Sequence, residues 1–261
     1  MTFTLARSAI CALSICTLGA SAQTNTNVSL CHEDVENAPW IFTGARQGYS
    51  QLMMAEVAKQ AHISIKLTPM PWKACLAAVK EGKMDGAISG SYSKERAEFA
   101  VYPMEGDSPD TTRRMYYASY AFYRHKDHPV NWDGKSLKAS GLIGAQSGFS
   151  VVAQLKELGA RVEDNTTSAD EVLKRVAEGR YQAGVVSISE GDASLAQNPA
   201  LRAALVRVNP PMVEKPYFTL FNKDFAARND MAVRMIWTGV KMVRMNPTFK
   251  VRVAPLTRGS E

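Results

Sequence analysis

"VKEGKMDGAIS", residues 79–89, and "VAEGRYQAGVV", residues 176–186, follow one grammar: the end of a helix, a glycine stop, a polar turn and an apolar strand. A unit that returns about a hundred positions later, matched residue by residue, implies two lobes built alike. Before the first copy, "NVSLCHE" (27–33) reads as a strand, and Tyr49, Leu52, Met53, Val57 and Ala61 form a helical stripe. "HISIKL" (62–67) is the next strand, and Pro71 and Gly82 bracket a helix carrying Cys75, Leu76 and Val79. Before the second copy, Ser168-Ala169-Asp170-Glu171 is a capping box, and Val172, Leu173 and Val176 make the buried stripe. Helices and strands alternate, which favours an α/β fold with parallel strands over an all-β or all-α one.

The aromatic run "RRMYYASYAFYRHKDHP" (113–129) is too continuous to end at the first lobe and reads as a strand crossing to the second. In "NPPMVEKPYFTLFNKD" (209–224), Pro210 and Pro211 break the order, and a returning strand is expected from Tyr217. A long helix with Val233, Ile236, Val240 and Val243 on one face closes the chain. The expected division is a discontinuous first lobe, 23–118 and 214–261, around a second lobe, 119–213. Two lobes joined by two crossing strands leave a cleft, and ligands of open α/β sheets gather beyond the carboxyl ends of strands.

Arg7, the apolar run from Ala9 to Ala20 and Ala20-Ser21-Ala22 read as a secretory signal, residues 1–22, whose removal places the protein in the periplasm. The run is shorter than the roughly 20 residues that cross a bilayer. Leu13-Ser14-Ile15-Cys16 has the outline of a lipid-attachment site, but Ile15 is bulky for one. About 240 residues remain, enough for one large domain or two ordinary ones. The full chain carries a net charge of +6, with its basic residues scattered. No basic stripe interleaved with aromatics appears, which argues against nucleic acid, while a mild positive field suits anionic solutes. Of four cysteines, Cys31 and Cys75 remain after signal removal. In an exported protein they suggest one bridge, with buried free thiols as the alternative.

The order of "PW" (71–72), "EGKMDGAISGSYSKERAEF" (81–99), "LIGAQSGFS" (142–150) and "AEGRYQAGVVS" (177–187) resembles the extracellular solute-binding proteins of family 3, which feed polar amino acids to ABC importers. The resemblance spans nearly the whole mature chain. It implies a type II periplasmic binding fold closing like a hinge on one small solute, in a monomer that serves an ABC permease of the inner membrane, with no cofactor and no metal. It assigns Arg96 to the ligand carboxylate, and a guanidinium fork suits that bidentate task. The competing reading of Arg96 is an exposed ion pair with Glu95 or Glu98. Ser89 and Ser91 on the strand exit would add hydroxyls, and Tyr92 would cover an apolar part of the solute.

Gly148, Phe149 and Ser150 match the second-lobe contact turn, where amides at a helix start attract anions; Ser150 also suits an N-cap. Trp40 and Trp72 are candidate walls of the site or simply core. The departure from the family is Ser187, where amino-acid binders carry an aspartate for the ligand ammonium. Glu190, or Asn37 and Glu36, could replace that charge; otherwise the solute has no α-amino group.

No nucleophile elbow exists at Ser147, because Ala145 replaces the first glycine of that motif. His32, His125 and His128 close no metal shell. A binding protein, not an enzyme, is therefore expected. Two alternatives share the fold: an enzyme of the cyclohexadienyl-dehydratase kind with Glu190 as acid, and a sensing module for a membrane receptor.

Overall fold

The computed structural model describes residues 26–257. The signal reading, its cleavage point, Cys11 and Cys16 lie outside the described residues. Strand β1 (Asn27–His32) opens the first lobe, followed by α1 (Tyr49–Ala61), β2 (Ser64–Pro69), α2 (Trp72–Lys80), β3 (Gly86–Ser91) and the one-turn helix α3 (Lys94–Ala97). Strand β4 (Tyr116–His125) crosses to the second lobe, which holds β5 (Leu142–Gln146), α4 (Val151–Glu157), β6 (Arg161–Thr166), α5 (Ala169–Ala177), β7 (Ala183–Ser187), α6 (Ile188–Gln197) and β8 (Leu205–Arg207). Strand β9 (Val213–Asn222) returns, and α7 (Asp230–Met245) and α8 (Pro247–Thr257) end the described chain.

One sheet runs through both lobes in the order β6-β5-β7-β4-β9-β3-β1-β2. Within each lobe three strands are parallel: β1 pairs with β2 and β3, and β5 with β6 and β7, while the short β8 lies antiparallel against β4. The two crossing strands are antiparallel to each other and to their neighbours β3 and β7. Each lobe therefore repeats one motif of three parallel strands bordered by a crossing strand. The repeat predicts two lobes built alike, and the arrangement is the type II periplasmic binding architecture that the resemblance implies.

The repeated glycines explain why the two copies share sequence. Gly82 and Gly179 end their helices at φ +69° and +75°, a region that favours glycine. At Gly86 a Cβ would lie 2.2 Å from the Leu220 carbonyl oxygen, so only glycine lets β3 approach β9. On the outer face of the first lobe, α1 buries Met53, Met54 and Val57 in the same core as Ile236 and Val240 of α7.

Two expectations shift. The returning strand starts at Val213, four residues before Tyr217, because Val213 to Tyr217 pair with Tyr120 to Tyr116 of β4 and this pairing overrides Pro216. The closing helix is two helices, since Pro247 cannot continue α7 and instead opens α8.

Cys31 and Cys75 form a disulfide with Cα atoms 5.7 Å apart, tying β1 to α2 across 44 residues of chain. Closing a loop of that length in the unfolded chain stabilises the fold by up to about 4 kcal/mol. Cys31→Ser with Cys75→Ser is expected to cost about 2–4 kcal/mol. Denaturant titrations of the wild type with and without reductant check this, and coincident midpoints would show that the bridge contributes nothing.

Candidate functional site

The carboxyl ends of β1 and β3 face the start of α4 across the cleft, with the crossing strands as its floor. Glu33 and Asn37 follow β1, Ser89 and Ser91 end β3, and Arg96 projects from α3. Ser93 caps that short helix, its Oγ accepting from the Arg96 amide at 3.2 Å, which fixes where the guanidinium stem leaves the backbone. Ser89 has φ +59°, a strained setting for a serine, beside an irregularity in the β3–β9 register. Its hydroxyl donates to Ser50 Oγ at 2.9 Å.

Arg96 is 5 % exposed, which rules out the surface ion pair with Glu95 or Glu98. Its Nη1 donates to the Ser91 carbonyl at 2.7 Å and to Ser91 Oγ at 3.1 Å, and its Nη2 reaches across the cleft to the Gly148 carbonyl at 2.8 Å. Trp72 lies 5.4 Å from the guanidinium carbon. Ser150 makes no side-chain cap; its Oγ instead bonds Ser91 Oγ and accepts from Lys215 Nζ, both at 2.7 Å. The lobes also touch through Lys73 and Asp164 at 3.4 Å.

Arg96, Ser89, Ser91, Trp72, Phe149 and Ser150, all expected at the site, line one cavity together with Glu33, Asn37, Ile88 and Tyr217. It encloses about 10 Å³, the space of a single water. Gly148 joins through its carbonyl. Two expected aromatics lie elsewhere. Trp40 is buried and stacked on Tyr116 at 3.8 Å, and Tyr92 packs edge-on against Tyr102 at 5.3 Å.

Ser187 and Glu190 sit deeper. Ser187 caps α6, and its Oγ bonds the Glu190 carboxylate at 2.6 Å, while Gln146 Nε2 donates to the other oxygen at 3.1 Å. Glu33 accepts from Asn37 Nδ2 at 2.8 Å. Burial is the largest influence on both acids. It pushes Glu33 up to about 8, with the Glu190 charge adding to the rise, and Glu190 up to about 7. Tyr116, Tyr120 and Tyr217 complete the floor, all raised by burial, and the last two are hydrogen-bonded through their hydroxyls. Burial and the Arg96 charge push Lys215 down to about 8. The cleft thus has a cationic end and an acidic end.

Residues 32–102 match the model of the bacterial extracellular solute-binding proteins, family 3. The chain has the fold of that family. The family 3 segment contains the first-lobe half of the cavity, from Glu33 to Arg96. No curated protein sequence matches the chain. Among solved structures, a histidine kinase sensor domain with similarity to periplasmic binding proteins aligns with a TM-score of 0.71 at 16% identity, over 88% of this chain and 95% of that one. An ancestral arginine-binding protein bound to arginine gives 0.70 at 18%, over 88% and 97%. The GluR0 ligand-binding core from Nostoc punctiforme with L-glutamate gives 0.66 at 14%, over 88% and 98%. At such identities the likeness shows the two-lobed fold.

Sequence reasoning missed Glu33, Lys215 and Tyr217. The signal for Glu33 was present: it follows the carboxyl end of β1, where ligands of such sheets gather. Lys215 had none, because its direction depends on the pairing register of β9.

A buried acid held above its ordinary range destabilises the fold once it ionises. Its contribution is complete below the unfolded carboxylate pKa and is lost as pH rises towards 7 and 8. Stability is expected to fall between pH 5.5 and 7.5, a range spanning the lower part of the window set by these raised values. Denaturant midpoints across that range check it, and Glu33→Gln and Glu190→Gln should each flatten the slope.

Proposed function

We propose that this chain captures a small carboxylate-bearing solute, with an amino acid or a related compound as the leading class, in the periplasm and delivers it to an ABC permease as a monomer. The observation that carries the reading is Arg96. It is a buried guanidinium in an interlobar cleft whose fork meets only neutral acceptors, Ser91 and Gly148. A carboxylate would replace these with charge-assisted bonds about twice as strong. Ser89, Ser91 and Ser150 supply hydroxyls around it, and Trp72 and Phe149 supply apolar walls.

The acidic end supports a protonated nitrogen on the solute. Asn37 Oδ1 and Gln146 Oε1 are buried acceptors without a partner. Such atoms call for a donor, and an ammonium has three. Glu190, held by Ser187, would then replace the family's aspartate. A solute larger than one water requires the lobes to part and reclose, with β4 and β9 as the hinge between 23–118 plus 214–261 and 119–213. The family match supports an extracellular setting, and among the described residues no helix is long and apolar enough to cross a membrane.

Two other readings have one observation each. A sensing role for a membrane receptor fits the likeness to a histidine kinase sensor domain. The raised carboxyl of Glu190 favours acid chemistry on a prephenate-like acid, for which a Glu190→Gln variant would lose turnover.

Arg96→Ala is expected to keep the fold, by circular dichroism, and to lose binding by 100-fold or more, roughly the 3 kcal/mol of a broken charge-assisted pair. Thermal-shift screening against amino acids, keto acids and small organic acids reads this out. A variant that shifts as the wild type does, or a wild type that no carboxylate shifts, would refute the assignment.

A further inference from the structure

Lys215 and Arg96 are joined by a chain of hydroxyls. Lys215 Nζ donates to Ser150 Oγ at 2.7 Å, Ser150 Oγ meets Ser91 Oγ at 2.7 Å, and Arg96 Nη1 donates to Ser91 Oγ at 3.1 Å. The chain links all three parts of the molecule: Arg96 and Ser91 from the first lobe, Ser150 from the second, and Lys215 from a crossing strand. Among the described residues neither cation has a carboxylate within ion-pair distance. Two half-sequestered like charges side by side are costly, and an oxyanion placed between them removes the cost.

We propose that Lys215 is the second cation of the anion subsite, and that the cleft selects a solute of net negative charge, a small dicarboxylate or an acidic amino acid, over neutral or basic ones. The inference rests on the binding reading above and narrows it. An acidic group on Arg96 would displace the Ser91–Ser150 bond, and a second negative oxygen would meet Lys215 and the freed hydroxyls. The far end does not cancel this charge near neutral pH, because burial holds Glu33 and Glu190 towards their protonated forms. A guanidinium-bearing solute would add a positive charge to a cleft that already has two unpaired.

The proton linkage has a definite sign. Burial and Arg96 from α3 lower Lys215, and Glu157 from α4 opposes them. An arriving anion raises it again. Its contribution to binding is therefore complete below about 8 and is lost as pH rises above it. Ionisation of Glu33, with Asp34 and Glu190 beside it, weakens anion binding in an overlapping range.

Calorimetric titration of the wild type, Lys215→Met and Lys215→Arg with L-glutamate, 2-oxoglutarate, L-alanine and L-arginine tests the proposal. The wild type should bind L-glutamate or 2-oxoglutarate at least about tenfold tighter than the other two. Lys215→Met should lose about tenfold or more for the acidic probes and less than about threefold for L-alanine, a difference that mere loosening of the fold would not produce. Lys215→Arg should restore binding and weaken less than the wild type between pH 7.5 and 9, because guanidinium stays charged. Tighter binding of L-alanine or L-arginine overturns the proposal, as does an unchanged Kd for L-glutamate and 2-oxoglutarate in Lys215→Met. A wild type that takes up none of the four and no other carboxylate overturns both this and the binding reading, whereas failure in the Lys215 variants alone leaves that reading standing.

Discussion

The antiparallel pairing of residues 116–120 with 213–217 is the constraint on which the molecule depends. It joins two parallel half-sheets that, among the described residues, have no other strand pairing between them, and it sets the floor of the cleft. Side chains alternate along a strand, so a slip of one residue would exchange every inward group for an outward one. Lys215 and Tyr217, two apart, face the same side, which is why both meet the cleft. The aromatic stacking of Trp40, Tyr116 and Tyr217, with centroids at 3.8 and 4.9 Å, fixes that register from the side chains as well as the backbone.

The electrostatics follow from this floor. A sheet end closed by a second lobe is poorly hydrated, and burial there shifts Glu33, Glu190, Lys215 and the floor tyrosines from their usual values. The cations gather on the side of α3 and α4, the carboxyl groups on the side of β1 and α6. Burial holds Glu33 and Glu190 towards their protonated forms, and among the described residues no carboxylate pairs with Arg96 or Lys215, so both cations remain available to an outside partner.

Much of this was legible in the sequence, and for identifiable reasons. The duplicated helix-turn-strand unit fixed the two lobes, because its glycines are demanded by helix ends and by the close approach of β3 to β9. Arg96 could be singled out through the family resemblance, since local sequence alone leaves a guanidinium beside Glu95 and Glu98 equally open to a surface ion pair. Cys31 and Cys75 could be paired since only two thiols remain after the signal. What failed depends on long-range contacts. Pro216 hid the first half of β9, which is held by β4 and not by local preference. Trp40 and Tyr92 pack on Tyr116 and Tyr102 and do not line the cavity, a choice the sequence leaves open because an aromatic ring serves core and cleft equally well. Glu33 was passed over, although its position after β1 already pointed to the crevice.

The bond from Arg96 Nη2 to the Gly148 carbonyl has one further consequence. It lets the lobes latch on each other with the protein's own oxygen in the grip, so a guest must compete with an internal surrogate. Any share of molecules latched in this way lowers the apparent affinity by the same fraction. Weakening the latch from the Gly148 side, without touching Arg96, would therefore tighten capture.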